Sequence, residues 1–119
     1  MFEEADLIFS YSRADAIRDG VLIDLSSRAK SLGYRIPVAL TARLYEALTA
    51  GAKDEAEKAA RVDLLLIALR DSITENPGAG DRLDFVLKVP TLAPLNAWAL
   101  CGPGDTPDPV LTVMRPHEN

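Results

Sequence analysis

The chain of 119 residues contains only one cysteine, Cys101, and one histidine, His117. A lone cysteine cannot form a disulfide within the chain, and the lack of a cysteine framework is typical of proteins from a reducing compartment. A lone histidine near the C-terminal end excludes a multi-histidine zinc site and disfavours a histidine-based catalytic triad. We therefore expect no metal and no other cofactor.

Long hydrophobic runs and an excess of positive charge are also lacking. The longest purely apolar run, residues 64–69, is far below the roughly 20 residues that cross a bilayer. The opening MFEEADLIF carries acids where a secretory leader carries bases. The net charge of −5 disfavours a general nucleic-acid binder, which presents a basic face to phosphates. We expect a cytoplasmic protein with no membrane or nucleic-acid partner.

The bulk composition is that of a globular protein, with 48% hydrophobic and 26% charged residues. The length fits one domain over residues 1–119 and is too short for two ordinary ones. Aromatic residues are scarce, so leucine, alanine, valine and isoleucine must fill most of the core.

Local signals in the first half predict short elements. Residues 7–11 predict a strand, and Ser12 with Asp15 three residues later forms a capping-box variant at the start of a helix over residues 13–19. Gly20 ends that helix. Residues 21–23 form either a strand or a buried connector. Two further short helices are predicted at residues 26–32 and at residues 42–49, where Thr41 is the N-cap.

The second half is predicted to contain one long helix followed by strands. The helix covers residues 54–74 and carries a broad apolar stripe, whose members are Ala56, Ala60, Leu64, Leu65, Ile67 and Leu69. After the breaker at residues 76–80, apolar and polar residues alternate through residues 83–89, as in a half-buried strand. Residues 95–101 and 110–114 predict two more strands, joined by a loop at residues 102–109.

Together these elements predict an α+β fold. It comprises an N-terminal strand, three short helices, one long helix and a C-terminal three-stranded antiparallel meander. We expect the first strand to join the sheet and the helices to pack on one of its faces. Residues 115–119 are predicted to be a disordered tail.

Two stretches carry motifs that belong together. The first is a Tyr-Ser-Arg start followed by Asp-Gly and leucine, and the second is a Gly-Pro-Gly-Asp turn followed by proline, threonine and methionine. The residues are Tyr11, Ser12, Arg13, Ile17, Asp19, Gly20 and Leu22, then Gly102, Pro103, Gly104, Asp105, Pro109, Thr112 and Met114. In these stretches the chain resembles an uncharacterised family of small proteins encoded on bacterial plasmids, phages and integrated elements. The resemblance implies a mobile-element origin and brings no activity, cofactor or catalytic residue.

Five residues are candidates for binding a ligand or partner: Tyr11, Arg13, Asp24, Trp98 and Asp105. Each has a structural alternative. Helix capping and an ion pair of Arg13 with Asp15 or Asp19 would account for the first motif, and a rigid hairpin loop would account for Asp105. Trp98 either anchors the core or marks an interface.

Three functions remain open, and we rank a non-enzymatic accessory protein that binds another protein first. Inhibition of a host defence system is one concrete version. The second is a homo-oligomeric module, such as a homodimer, that shares a sheet edge or an apolar face. The third is a small enzyme, because the opening is similar to that of ADP-ribosyltransferase-like folds. Those folds usually place a histidine or arginine on the first strand, where this chain has Ser10 and Tyr11; we assign no catalytic residue.

Overall fold

The structure, a computed structural model, describes residues 11–118. Its helices are α1 (Arg13–Arg18), α2 (Ser26–Ser31), α3 (Ala42–Thr49) and α4 (Glu55–Glu75). Its strands are β1 (Leu22–Asp24), β2 (Val38–Thr41), β3 (Arg82–Leu87), β4 (Leu95–Pro103) and β5 (Pro109–Met114). The N-terminal strand predicted at residues 7–11 lies outside the described residues, apart from Tyr11.

The five strands form one mixed sheet in the order β1-β2-β5-β4-β3. β3, β4 and β5 pair antiparallel, so the predicted three-stranded meander is only part of the sheet. β2 adds to it in parallel with β5, and β1 pairs antiparallel with β2. The fold is α+β, with helices packed against a five-stranded mixed sheet.

The caps of the short helices follow the local sequence. The Ser12 hydroxyl accepts the backbone N–H of Asp15 at 2.9 Å, and the Thr41 hydroxyl accepts that of Leu44 at 3.2 Å. Gly20 follows the end of α1 with a φ of 80°, a conformation that glycine adopts without a Cβ clash. The predicted starts of α1 and α3 and the end of α1 are therefore confirmed.

The main hydrophobic core lies on one face of the sheet. Val38, Leu40, Leu111 and Val113 project from the central strands into it, beneath α3 and α4. Fully buried leucines of both helices complete it, namely Leu44, Leu48, Leu65, Leu66 and Leu69. Within the described residues, no helix is long and apolar enough to cross a membrane.

The apolar stripe of α4 is rotated relative to the predicted one. Leu64, placed inward by the sequence pattern, is 40% exposed, whereas Arg61 is only 5% exposed. The guanidinium of Arg61 donates to the carbonyl oxygens of Leu48 and Ala50, at 3.1 and 2.6 Å, where α3 ends. It also pairs with Glu57 at 2.7 Å. A buried arginine therefore joins α3 to α4 where the pattern indicated aliphatic packing.

Helix α1 lies against the opposite face of the sheet. Ala16 of α1 is buried with Ala39 and Met114, and these three side chains are outside the main core cluster. Because Ala39 alternates along β2 with the core residues Val38 and Leu40, it faces away from the core. The expectation that all helices pack on one sheet face is therefore wrong for α1. We call the face that α1 covers the second face.

Candidate functional site

The strand register places two of the candidate residues, Asp24 and Trp98, on the second face. Asp24 is opposite Ala39, Ala39 is opposite Thr112, and Thr112 is opposite Leu100. Directly opposed residues share a face, so this row crosses the sheet beneath α1. An open groove of about 700 Å³ runs between α1 and the β4–β5 hairpin. Tyr11, Arg13 and Asp105 line it, together with Leu100 and Thr112.

Asp105 joins the β4–β5 hairpin to the start of α1. Its two carboxylate oxygens accept the backbone N–H groups of Arg13 at 2.6 Å and of Ala14 at 3.0 Å. Ser12 accepts the next N–H, that of Asp15. The first three N–H groups of the helix are thus all bonded, and the negative charge of Asp105 lies at the positive end of the helix dipole.

Arg13 lies half-buried between α1 and the sheet. One terminal nitrogen donates to Thr112 Oγ1 at 2.6 Å, and the other donates to the carbonyl oxygen of Leu111 at 2.8 Å. Burial lowers the pKa of the guanidinium, and the nearby carboxylates of Asp24 and Asp105 oppose that shift. The guanidinium stays charged because the ordinary pKa of arginine is so high.

The ion pair expected between Arg13 and Asp15 or Asp19 does not form. Arg18 takes that place, with nitrogen–oxygen distances of 2.9 Å to Asp15 and 3.5 Å to Asp19. Arg13 points instead to the sheet because its guanidinium can bond Thr112 and the Leu111 carbonyl, whereas Arg18 is exposed on the outer side of α1.

Tyr11 remains accessible at the mouth of the groove. Its hydroxyl donates to Asp19 Oδ2 at 2.7 Å, and the residue is 54% exposed. The hydrogen bond to Asp19 raises the pKa of the phenol. This bond fixes the hydroxyl while about half of the residue surface stays exposed.

Asp24 is on the second face but does not line the groove. Its Oδ1 accepts both the backbone N–H and the hydroxyl of Ser26, at 3.1 and 2.6 Å. The carboxylate therefore supports the start of α2. Its remaining connection with the groove is electrostatic, through Arg13.

Trp98 lies farther along the second face, outside the main core cluster. The guanidinium carbon of Arg82 is 4.3 Å from the indole ring centre, a cation–π contact. His117 packs edge-on against the same ring, with centroids 4.8 Å apart. Arg82 also lines the groove, so the Arg82–Trp98 pair continues the surface that begins at Tyr11.

Gly104 packs closely against Val110 within the hairpin and lies beside the Arg13 side chain. A Cβ at this position would lie 3.0 Å from Val110 Cγ1 and 3.7 Å from Arg13 Cδ. By contrast, a Cβ at Gly102 in the same hairpin would meet nothing within 4 Å. The Gly-Pro-Gly-Asp turn and the Tyr-Ser-Arg start are therefore two sides of one packed junction.

A family model described as a family of unknown function, DUF6573, matches residues 1–119. The chain belongs to DUF6573. No curated protein and no solved structure matches this DUF6573 chain. Its function is unknown, in agreement with the sequence analysis.

Hydrogen bonds between distant segments hold the walls of the groove in this DUF6573 chain. Among residues 11–118, no group of three or more histidine, cysteine or acidic side chains could hold a metal ion. Asp105 of the hairpin bonds α1, and Arg13 of α1 bonds β5, which holds α1 and the hairpin on either side of the groove. Tyr11 instead bonds Asp19 at the end of α1. Sequence reasoning missed Arg82, although its alternation with the inward residues Leu83 and Phe85 could have placed it outside the core.

Proposed function

We propose that this DUF6573 chain is a non-enzymatic accessory protein that binds another protein through the groove on the second face. The observation that carries the proposal is the bonded junction of α1 with the β4–β5 hairpin, which preforms the groove. Preformed walls favour binding because little conformational entropy is lost when the partner docks.

The residue types along the groove support a protein partner. Tyr11 and Arg82 line the groove, and Trp98 stacks against Arg82 beside it. Tyrosine, tryptophan and arginine are the residues most enriched among those that dominate binding energy at protein interfaces. Arg13 and Asp105, in contrast, contribute indirectly by holding the walls.

The resemblance to proteins of plasmids, phages and integrated elements supports an accessory role for such an element. Inhibition of a host defence complex is one form that this role could take. In that case the partner is a host protein, and binding leaves its covalent structure unchanged.

Affinity capture from a bacterial host lysate tests the proposal, with the tagged full chain as bait. We expect the wild-type chain to capture a discrete protein and Tyr11→Ala and Arg82→Glu to lose it. Arg70→Glu, an exposed charge reversal on α4, should capture as much as the wild type. Equal capture by all four chains, or no capture by any, would contradict the proposal.

Calorimetry with NAD tests the alternative of an ADP-ribosyltransferase-like enzyme. The proposal expects no heat of binding. Saturable NAD binding that Tyr11→Ala weakens would overturn the non-enzymatic assignment and place a nucleotide in the groove.

A further inference from the structure

β3 ends the sheet, and none of the strands within residues 11–118 pairs with its outer edge. Such an edge presents backbone N–H and C=O groups that can pair with another strand. The edge strands of soluble proteins are commonly protected by proline, a bulge or inward-pointing charge. β3 has six residues, contains no proline, and directs Phe85 and Leu87 into the core.

The outward side chains of this edge have a self-complementary order. Asp84 and Val86 of β3, and Lys88 directly after its end, alternate with the inward residues and are exposed. Val86 is one of the few large apolar residues with substantial exposure, at 52%. It stands between an acid two residues before it and a base two residues after it.

We propose that β3 pairs antiparallel with β3 of a second copy of this chain, about a two-fold axis that passes at Val86. In this register Val86 faces Val86 of the second copy. Asp84 of each copy faces Lys88 of the other, which forms two opposite-charge cross-strand pairs. The two five-stranded sheets then join into one sheet of ten strands.

The inward side of the same register is also compatible with pairing. Phe85 faces Leu87 of the second copy, and Leu83 faces Val89, so apolar residues meet apolar residues along the whole contact. All four belong to the main core cluster or pack against it. The two cores therefore become continuous without burying a charge.

Neighbouring registers are less favourable. An axis at Asp84 places the two Asp84 carboxylates opposite each other. An axis at Phe85 places Arg82 of each copy opposite Lys88 of the other. An axis at Leu83 places Asp81 opposite Phe85, on the core side. Like charges directly opposite each other destabilise a strand pair, so the charge pattern selects the axis at Val86.

Sedimentation equilibrium of the purified full chain over a range of concentrations tests the proposal. We expect a reversible dimer, and we expect Asp84→Lys and Lys88→Asp each to raise the dimer dissociation constant roughly tenfold or more. The double variant D84K/K88D restores both pairs with reversed polarity and should recover most of the affinity. A merely structural role of either residue would not produce this recovery.

Val86→Lys provides a second test, with Val21→Lys as its matched control. Both valines are 52% exposed, and Val21 precedes β1, at the opposite end of the sheet. We expect V86K to be monomeric and V21K to dimerise like the wild type.

A monomeric wild-type chain at all concentrations would overturn the proposal. So would a dimer that V86K and the single charge reversals leave intact, because its interface would lie elsewhere. Asp84 also pairs with the groove residue Arg82 at 3.1 Å, so the two proposals are separated by variants that spare this pair. Self-association is measured on the purified chain with Val86→Lys, and partner capture is measured with Tyr11→Ala.

Discussion

At the scale of single residues, Asp105 caps a helix whose first residues are close to it in space but far from it in the sequence. The two backbone N–H groups that it accepts lie 92 and 91 residues away. α1 has only six residues and its propensity alone cannot stabilise it. We therefore expect the cap from Asp105 to determine whether α1 stays folded against the second face.

Asp105→Ala should lower the free energy of unfolding by about 1–2 kcal/mol, the usual cost of losing a helix N-cap. Urea denaturation followed by circular dichroism measures the change. Asp108→Ala is the control, because Asp108 lies in the same loop and its side chain accepts a hydrogen bond from the neighbouring Thr106, at 3.4 Å, instead of capping α1. An equal effect of the two substitutions would show that the cap has no special weight.

A methyl group at Gly104 would lie 3.0 Å from Val110 Cγ1, so the Val110 side chain must shift by a few tenths of an ångström to admit it. We expect Gly104→Ala to destabilise the protein by about 1–2 kcal/mol, as overpacking does. Gly102→Ala, which meets nothing within 4 Å, should be near neutral. Thermal melts of the two variants compare them directly, and a G104A melting temperature equal to that of G102A would contradict the close packing.

The role of a residue could be predicted where its hydrogen-bond partner is close in the sequence, and not where the partner is far away. Ser12 and Thr41 were assigned correctly because each bonds an N–H three residues ahead. The partners of Arg13 and Asp105 could not be inferred, since they lie across the whole chain. The pairing of the two motifs in one resemblance was the only signal in the sequence that linked them.

At the scale of elements, β2 was not predicted as a strand because it is buried on both faces. Its residues Val38, Ala39 and Leu40 are all fully buried, because the core covers one face and α1 covers the other. A strand buried on both faces lacks the alternation that identified β3. The parallel pairing with β5 also joins segments far apart in sequence, which no local pattern encodes.

Arg61 is the corresponding exception within α4. The helix was located within one residue of its ends, but its inward face was assigned from apolar spacing alone. The carbonyl groups at the end of α3 need donors, and Arg61 supplies them from inside the core. Because Arg61 occupies an inward position, the inward face of α4 differs from the face predicted from the apolar spacing.

Arg61→Met should lower the free energy of unfolding by about 2–4 kcal/mol, because the carbonyls of Leu48 and Ala50 lose their donor in a buried site. Chemical denaturation measures the loss. Arg70→Met on the same helix is the control, and we expect it to change stability by less than about 0.5 kcal/mol, since Arg70 is exposed. If the two variants were equally stable, the buried guanidinium would not join α3 to α4.

At the scale of the whole molecule, stability depends on pH through carboxylates whose pKa differs between the folded and the unfolded state. Three of them have pKa values held below the usual range by hydrogen bonds. Ser12 lowers the pKa of Asp15, the backbone N–H of Lys53 lowers that of Glu57, and Arg28 lowers that of Asp63. Each is stabilised in its charged form by the fold.

A depressed pKa in the folded state gives stability that is present above the unfolded pKa and is lost as the pH falls through the folded pKa. We therefore expect the free energy of unfolding to decrease as the pH is lowered from about 5 to about 2. Asp63→Asn should reduce this dependence, because the contact of Asp63 with Arg28, which joins α4 to α2, then no longer titrates. Asp71→Asn on the same helix, at 3.9 Å from Arg70, is the control. Urea midpoints measured across this pH range test the prediction. A stability that rises on acidification would contradict it, and so would an Asp63→Asn profile identical to that of the wild type. Either result would mean that these bonds do not favour the charged carboxylates.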